Sequence, residues 1–183
     1  MTDTGRSLDG KRVLVIGGAS GIGFAITAGD WDLPMFAATR DVDLAQAREL
    51  LTVRFWGALA AAKHASRTIA PGGSITLTSG MLAHRPMKGA PLAAAVGGAV
   101  EYLTRGLAVD LAPIRVNAVC PGLVLTDHVK QSFPEAHRQA MVSQLPLPRA
   151  ASPAETATAY VYSMVNTYAT GQVLPVDGGG LLI

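Results

Sequence analysis

Length, composition and charge describe a compact chain with an ordinary apolar core. It has 183 residues, of which 49% are hydrophobic and 15% are charged, and its formal net charge is +2. A chain of this size buries enough surface to fold without disulfides, so we expect a single domain over residues 1–183. The Lys and Arg residues are scattered and form no basic stripe, which predicts no nucleic-acid partner.

Cysteine, histidine and apolar runs exclude further classes of protein. Cys120 is the single cysteine, so it cannot close an internal disulfide, and the sequence begins with no secretory leader; both features favour the cytoplasm. No apolar run reaches the ~18 residues of a membrane span. The four His residues and Cys120 lack the spacing of metal ligands. We therefore expect neither a membrane partner nor a metal site.

Strand and helix patterns alternate along the chain. The predicted elements are a strand at 12–16, a helix from about 20, a short strand at 35–38, a long helix at 42–68, a strand at 74–78, a helix at 92–111, a strand at 114–119, a helix near 135–144 within a mobile segment 123–152, a helix from 153 and a strand at 173–176. The helix at 92–111 is apolar nearly all round, which predicts that it is buried. The alternation predicts an α/β fold with a mostly parallel sheet between two layers of helices.

A glycine-rich turn follows the first predicted strand. Residues 17–23 read GGASGIG and lead into a helix. Glycine permits the tight turn and lets backbone N–H groups approach a pyrophosphate, whose charge the N-terminus of a helix favours. The candidate contacts are Gly17, Ala19, Ser20, Gly21, Ile22 and Gly23. The alternative interpretation is a strand-to-helix turn that binds nothing.

This turn and two later segments resemble the short-chain dehydrogenase/reductase family. Residues 117–122, NAVCPG, are similar to the family's strand-end segment beside the nicotinamide, and residues 170–179 resemble its closing strand. The resemblance implies a Rossmann-like, three-layer αβα domain that binds NAD or NADP and a small-molecule substrate. It implies cofactor contacts at Pro121, Gly122 and Thr126. It also implies a homodimer or homotetramer.

Part of the family pattern is missing from the first half of the chain. The first predicted helix leads almost directly into residues 32–39, which resemble the family's fourth strand. The gap corresponds to two strands, two helices and their loops, or about 50 residues at ordinary element lengths. We therefore expect a sheet shortened by about two strands, with residues 12–16 at an edge that favours pairing with another chain. Because the missing part carries the residue that reads the ribose 2′ position, the sequence does not distinguish NAD from NADP.

The family's Asn-Ser-Tyr-Lys catalytic group is absent in register. Arg54 stands at the Asn position, Gly80 at the Ser position, Ala93 at the Tyr position and Gly97 at the Lys position. Tyr102 follows Ala93 by nine residues, so it lies on the opposite face of the helix. Turnover is therefore expected to be slow, since general acid–base catalysis contributes roughly 10²- to 10⁴-fold.

Ser79 and His84 are the candidate catalytic replacements. Ser79 directly follows a predicted parallel strand, at the end where open α/β sheets bind ligands, although it also suits a loop cap. His84 lies on the loop that would cover the site, and histidine carries protons near neutral pH. The alternative for His84 is a solvated loop charge.

Three functions remain open at this point. The first is an atypical, NAD(P)-linked oxidoreductase that reduces or oxidises a small carbonyl or alcohol. The second is a non-redox isomerase or lyase that uses the same cleft. The third is a catalytically silent binding subunit.

Overall fold

The computed structural model describes residues 36–183, and within them a parallel sheet forms the centre. Its three strands are β1 (Ser74–Thr78), β2 (Arg115–Pro121) and β3 (Val173–Val176), in that order across the sheet. Both neighbouring pairs run parallel. The predicted α/β class and shortened parallel sheet are confirmed. The predicted strand at 12–16 and the glycine-rich turn at 17–23 lie outside the described residues.

Six α-helices surround or follow these strands in the described part of the chain. They are α1 (Leu44–Leu51), α2 (Gly57–Ala65), α3 (Pro91–Asp110), α4 (Asp127–Ser132), α5 (Glu135–Val142) and α6 (Pro153–Val165). A π-helical segment, Thr52–Trp56, joins α1 to α2, so the long helix predicted at 42–68 is one helical region. The segment predicted to be mobile, 123–152, contains α4 and α5.

One predicted strand is wrong in its described part. Residues 36–38 form a bend and coil instead of extending the sheet. The backbone turns immediately afterwards, where the Asp41 N–H donates to the Ala38 carbonyl at 2.9 Å. Asp43 then caps α1 by accepting from the Ala45 and Gln46 N–H groups. A bend and a turn therefore stand where apolar residues alone had suggested a strand, and the helix predicted from 42 begins at Leu44.

Helix α3 is the main helix of the core, yet it is not buried on all sides. Pro91 occupies its first turn, and its buried residues pack on β1 and β2. Tyr102 and Val109 are 75% and 82% exposed, so the expectation of a helix buried all round is wrong. By length and composition alone α3 would also suit a membrane span. Its contacts with the sheet are those of a core helix in an α/β domain.

The two faces of β2 pack against different layers. Val116 packs with Ala62 of α2 and Leu107 of α3. Val119, three residues further on, packs with Ala159 and Tyr160 of α6. Because side chains alternate along a strand, one strand serves both layers. This arrangement is the predicted three-layer αβα order.

Buried polar side chains at the amino end of β2 bond to the connection between α6 and β3. The Arg115 guanidinium donates to the carbonyls of Ser163 and Met164, both at 2.8 Å, and of Ala169 at 3.1 Å. Asn117 donates to the Ala169 carbonyl at 2.9 Å and accepts from Gln172 N–H at 3.1 Å. Burial lowers the pKa of Arg115. These bonds hold the end of α6 against the sheet.

The start of α6 follows its sequence signal. Ser152 accepts from Glu155 N–H, Glu155 accepts from Ser152 N–H, and Pro153 occupies the first helical turn, so the capping box is complete. Hydrogen bonds from Arg149, followed by those from Ser152, lower the pKa of Glu155 to about 2. The predicted helix start at 153 is confirmed.

Candidate functional site

A cavity of about 510 Å³ opens at the carboxyl ends of β1 and β2. Its wall is mostly apolar and includes Met81, Leu82, Met87, Val96, Leu123 and Phe133. Polar groups reach it from Thr78, Ser79, Arg54 and Arg85. Ligands bind at the carboxyl ends of parallel strands in open α/β sheets, and a mostly apolar cavity of this volume is typical of a small-molecule site.

One face of α3 forms part of the cavity wall. Ala93 and Gly97, which the resemblance described above aligns with the Tyr and Lys of the family, both line the cavity. A Cβ atom at Gly97 would lie 3.0 Å from the Ala83 Cβ and 3.4 Å from the Gly80 carbonyl oxygen. The loop after β1 therefore packs directly on the helix backbone at Gly97. A larger side chain at that position requires the loop to move.

A polar cluster lies beside the cavity, between the loop after β1 and α3. The Ser79 hydroxyl donates to Glu101 Oε1 at 2.8 Å. His84 Nε2 lies 2.9 Å from Oε1 and 2.8 Å from Oε2 of the same carboxylate. Glu101 is 3% exposed, whereas the His84 side chain is 38% exposed. Ser79 also lines the cavity, so the cluster connects the cavity wall to a solvent-accessible imidazole.

Cys120, near the end of β2, completes this cluster. Its thiol is buried, and its sulfur lies within 4.8 Å of the ligand atoms of His84 and Glu101. Burial is the largest cause that raises the pKa of Cys120, to about 11; a hydrogen bond with Ser79 opposes it, and the charges of Glu101 and Asp177 add to it. The free thiol is therefore protonated at neutral pH.

The cofactor residues predicted on the strand-end segment take two different positions. Pro121 and Gly122 line the cavity, as a segment that faces a nicotinamide would. Thr126 instead caps α4, where its hydroxyl accepts from the Val129 N–H at 3.2 Å. A Cβ atom at Gly122 would lie 2.8 Å from the Asp177 Cα, so close packing of backbone requires glycine there.

The two predicted catalytic residues meet at one carboxylate. Ser79 and His84 both contact Glu101, so the interpretation of His84 as a merely solvated loop charge is wrong. Sequence reasoning missed Glu101 itself. The available signal was a single acidic residue in the middle of an otherwise apolar stretch of α3. Arg85, also on this loop, donates to the Gly180 carbonyl at 3.2 Å.

Comparison with known proteins identifies the family. The family model described as Enoyl-(Acyl carrier protein) reductase matches residues 18–180. The chain is 35% identical to the short-chain dehydrogenase/reductase malC of Malbranchea aurantiaca, over 97% of this chain and 68% of that protein. It is also 35% identical to glucose and ribitol dehydrogenase homolog 2 of Arabidopsis thaliana, over 76% of this chain and 50% of that protein. The chain belongs to the short-chain dehydrogenase/reductase family.

Solved structures agree with this assignment. A small-chain dehydrogenase in complex with NADPH has a TM-score of 0.82 and 33% identity, and the match covers 91% of this chain and 96% of that one. The MalC reductase/Diels-Alderase from Malbranchea aurantiaca has a TM-score of 0.77 and 35% identity, over 83% of this chain and 61% of that one. The family supports NAD or NADP as the cofactor and does not choose between them.

Proposed function

We propose that the protein is an NAD(P)-linked oxidoreductase that reduces a small apolar carbonyl compound or oxidises the corresponding alcohol. The observation that carries the proposal is the apolar cavity of about 510 Å³ at the carboxyl ends of β1 and β2, with Pro121 and Gly122 on its wall. Membership of an oxidoreductase family supports the reaction class. The apolar lining favours a substrate with little charge, because burying an unpaired polar group is unfavourable.

The cofactor is assigned to the same end of the sheet. When bound, NAD(P) supplies or accepts a hydride. Pro121 and Gly122 would contact the nicotinamide, and the backbone of residues 17–23 would hold the pyrophosphate. A related short-chain protein binds NADPH in its solved structure, which supports the assignment. Thr126 remains a cofactor contact by proposal, in addition to its role as a cap.

We assign proton transfer during the reaction to the polar cluster of Ser79, Glu101 and His84. Ser79 lies on the cavity wall, and its hydroxyl bonds to Glu101, which in turn contacts the partly exposed His84. A proton can therefore pass between solvent and the cavity through His84, Glu101 and Ser79. Without the family's Tyr and Lys, this path replaces a well-placed acid with a longer chain of transfers. Slow turnover follows, by up to roughly 10²- to 10⁴-fold relative to a complete acid–base group.

Cofactor binding is tested with NADH and NADPH titrations followed by fluorescence. Gly21→Val is expected to abolish binding, because a side chain would block the backbone from approaching the pyrophosphate. Gly106→Val is the matched control, since nothing lies within 4 Å of a Cβ atom at Gly106. Equal affinity in wild type and Gly21→Val would show that residues 17–23 do not bind the cofactor.

Turnover is tested with a panel of apolar aldehydes and ketones. A metal chelator is present, so that no bound metal ion contributes to the rate. Ser79→Ala and His84→Ala are expected to lower kcat and to change KM less. His64→Ala, on the exposed face of α2, is the control and should leave both kcat and KM unchanged. Fast reduction that is insensitive to both changes would refute the proton path. Cofactor binding without any turnover would instead favour a silent subunit, and turnover without cofactor would favour an isomerase or lyase.

Assembly as a homodimer or homotetramer is part of the proposal. Tyr102 and Val109 are exposed apolar residues on α3, and they support a helical contact between subunits. Gly98 lies open on the same helix, but Gly97 packs against Ala83 of its own chain, so it is not available for that contact. Light scattering at low micromolar concentration tests the assembly; a stable monomer refutes it. We also propose a cytoplasmic location, which fractionation of the source cells tests.

A further inference from the structure

Three side chains of different chemistry converge beside the cavity. The imidazole Nε2 of His84, the carboxylate of Glu101 and the thiol Sγ of Cys120 all lie within 4.8 Å of one another. They come from a loop, a helix and a strand, so their spacing along the chain gave no sign of this convergence. Nitrogen, oxygen and sulfur are the three ligand atoms that Zn²⁺ uses in proteins.

The buried carboxylate of Glu101 has Ser79 and His84 as its described partners, and neither carries a permanent charge. Glu101 is 3% exposed, and a buried carboxylate is unfavourable unless a positive charge or several hydrogen bonds compensate it. Its ion-pair partner within the described residues is His84, and a histidine is charged only when protonated. A divalent ion would supply a permanent positive charge at the same place.

We propose that His84, Glu101 and Cys120 form a binding site for a divalent cation of the zinc type. Ligands around Zn²⁺ lie at roughly 2.0–2.3 Å from the ion, so neighbouring ligand atoms lie roughly 3.3–3.8 Å apart. The His84–Glu101 contact of 2.8 Å therefore opens by about 1 Å or less, and the partly exposed loop that carries His84 can accommodate this. Ser79, 2.8 Å from Glu101 Oε1, orients the carboxylate or gives the fourth ligand.

Binding requires one proton to leave. The thiol of Cys120 becomes a thiolate that bonds to the metal, and its proton passes to solvent through the site's exposed side. Protons compete with the metal for the ligand atoms, so binding is expected to weaken at acid pH. The titratable groups that face the sulfur are His84, Glu101, Asp177 and Tyr160.

Cobalt titration of the full-length protein tests the site directly. Co²⁺ replaces Zn²⁺ at such sites, and a thiolate bound to Co²⁺ gives a near-ultraviolet charge-transfer band. Because Cys120 is the single cysteine of the sequence, any such band reports this site. We expect the band to saturate at one equivalent and to disappear when Zn²⁺ is added. The readout needs neither cofactor nor turnover, so it is independent of the proposed oxidoreductase activity.

Three variants separate this site from adventitious binding. Cys120→Ser should lose the band, and His84→Ala should weaken Co²⁺ binding by at least about tenfold. His64→Ala, on α2 away from the cluster, should bind as wild type does. Absence of the band in wild type overturns the proposal, and so does equal Co²⁺ affinity in wild type and His84→Ala. If Cys120→Ser does not fold, the comparison between the two histidine variants still decides.

Discussion

At its amino end, β2 directs Arg115 and Asn117 toward backbone carbonyls of the segment between α6 and β3. At its carboxyl end, the same strand places Cys120 beside Glu101, which is bonded to Ser79 and His84. The first end joins side chains to backbone, and the second joins side chains to one another. The first set is buried, whereas the second extends from the buried Cys120 and Glu101 to the partly exposed His84 and lines the cavity through Ser79.

This difference separates structural from chemical polar groups. Backbone carbonyls have fixed positions and no titratable proton, so their bonds to Arg115 serve stability. A thiol, a carboxylate and an imidazole can exchange protons or bind a cation. Parallel strands place such groups at their carboxyl ends because the adjoining loops are free to approach there.

Removing the guanidinium at the amino end should have the largest effect. Arg115→Met removes the Arg115 donors from the carbonyls of Ser163, Met164 and Ala169, and of these three only Ala169 keeps a second side-chain bond among the described residues, from Asn117. We expect a loss of about 3 kcal/mol in the free energy of unfolding, measured by urea denaturation. Arg105→Met is the matched control, because Arg105 is exposed and contacts only the face of Tyr102 among the aromatic rings described. Equal losses in the two variants would contradict a structural role for the amino end.

At the carboxyl end, alkaline pH should reveal the buried thiol. Burial raises the pKa of Cys120 to about 11 in the folded chain, whereas the thiol of the unfolded chain ionises near its ordinary pKa of 9.0. Stability from this group is therefore complete below pH 9 and is lost as pH rises toward 11, by about 2 kcal/mol at pH 11. Melting curves of wild type and Cys120→Ser measure it.

Tyr160 must be separated from that effect. Burial raises the pKa of Tyr160 to about 12, and a hydrogen bond with Thr78 opposes this shift, so ionisation of Tyr160 also destabilises the fold above pH 10. Cys120→Ser keeps the pH-dependent loss of stability that Tyr160 causes. It should lack only the loss that the Cys120 thiol causes between pH 9 and 11. Parallel curves for wild type and Cys120→Ser over that interval would contradict the burial of the thiol.

Breaking the contact of His84 with Glu101 should have a smaller effect than the loss of Arg115. The His84 side chain is 38% exposed, and partly exposed ion pairs contribute about 1 kcal/mol or less. We expect His84→Ala to lower the free energy of unfolding by about 1 kcal/mol in urea denaturation. His64→Ala should change it by less. A loss as large as that of Arg115→Met would mean that the polar cluster is mainly structural.

Substitution by alanine should change the stability of the protein differently at the two neighbouring glycines of α3, Gly97 and Gly98. Gly98→Ala should stabilise the protein by about 0.5–1 kcal/mol, because nothing lies within 4 Å of its Cβ position and alanine favours helix. Gly97→Ala should gain less or lose stability, since its Cβ would lie 3.0 Å from the Ala83 Cβ. Thermal melts of the two variants test this. Identical gains would show that the loop after β1 packs loosely on α3.

The helices and strands could be predicted from the sequence better than the candidate site could. Strands 74–78 and 173–176 match β1 and β3, because short apolar runs bounded by glycine and proline are local signals. The start of α6 followed from Ser152 and Pro153 for the same reason. The cluster did not, since Glu101 meets Ser79 and His84 across 22 and 17 residues of chain. Spacing rules detect metal ligands that are close in sequence. They do not detect residues that are distant in sequence and meet only in the folded structure.

The close approach of the loop after β1 to Gly97 makes two positions of the cavity wall unequal. Ala93 lies on that wall, so a tyrosine introduced there is expected to occupy cavity volume. A lysine introduced at Gly97 would meet Ala83 and the Gly80 carbonyl at its first side-chain carbon, so the loop would have to shift by a few tenths of an ångström. Building a Tyr-Lys pair into α3 is therefore expected to strain the fold more at Gly97 than at Ala93.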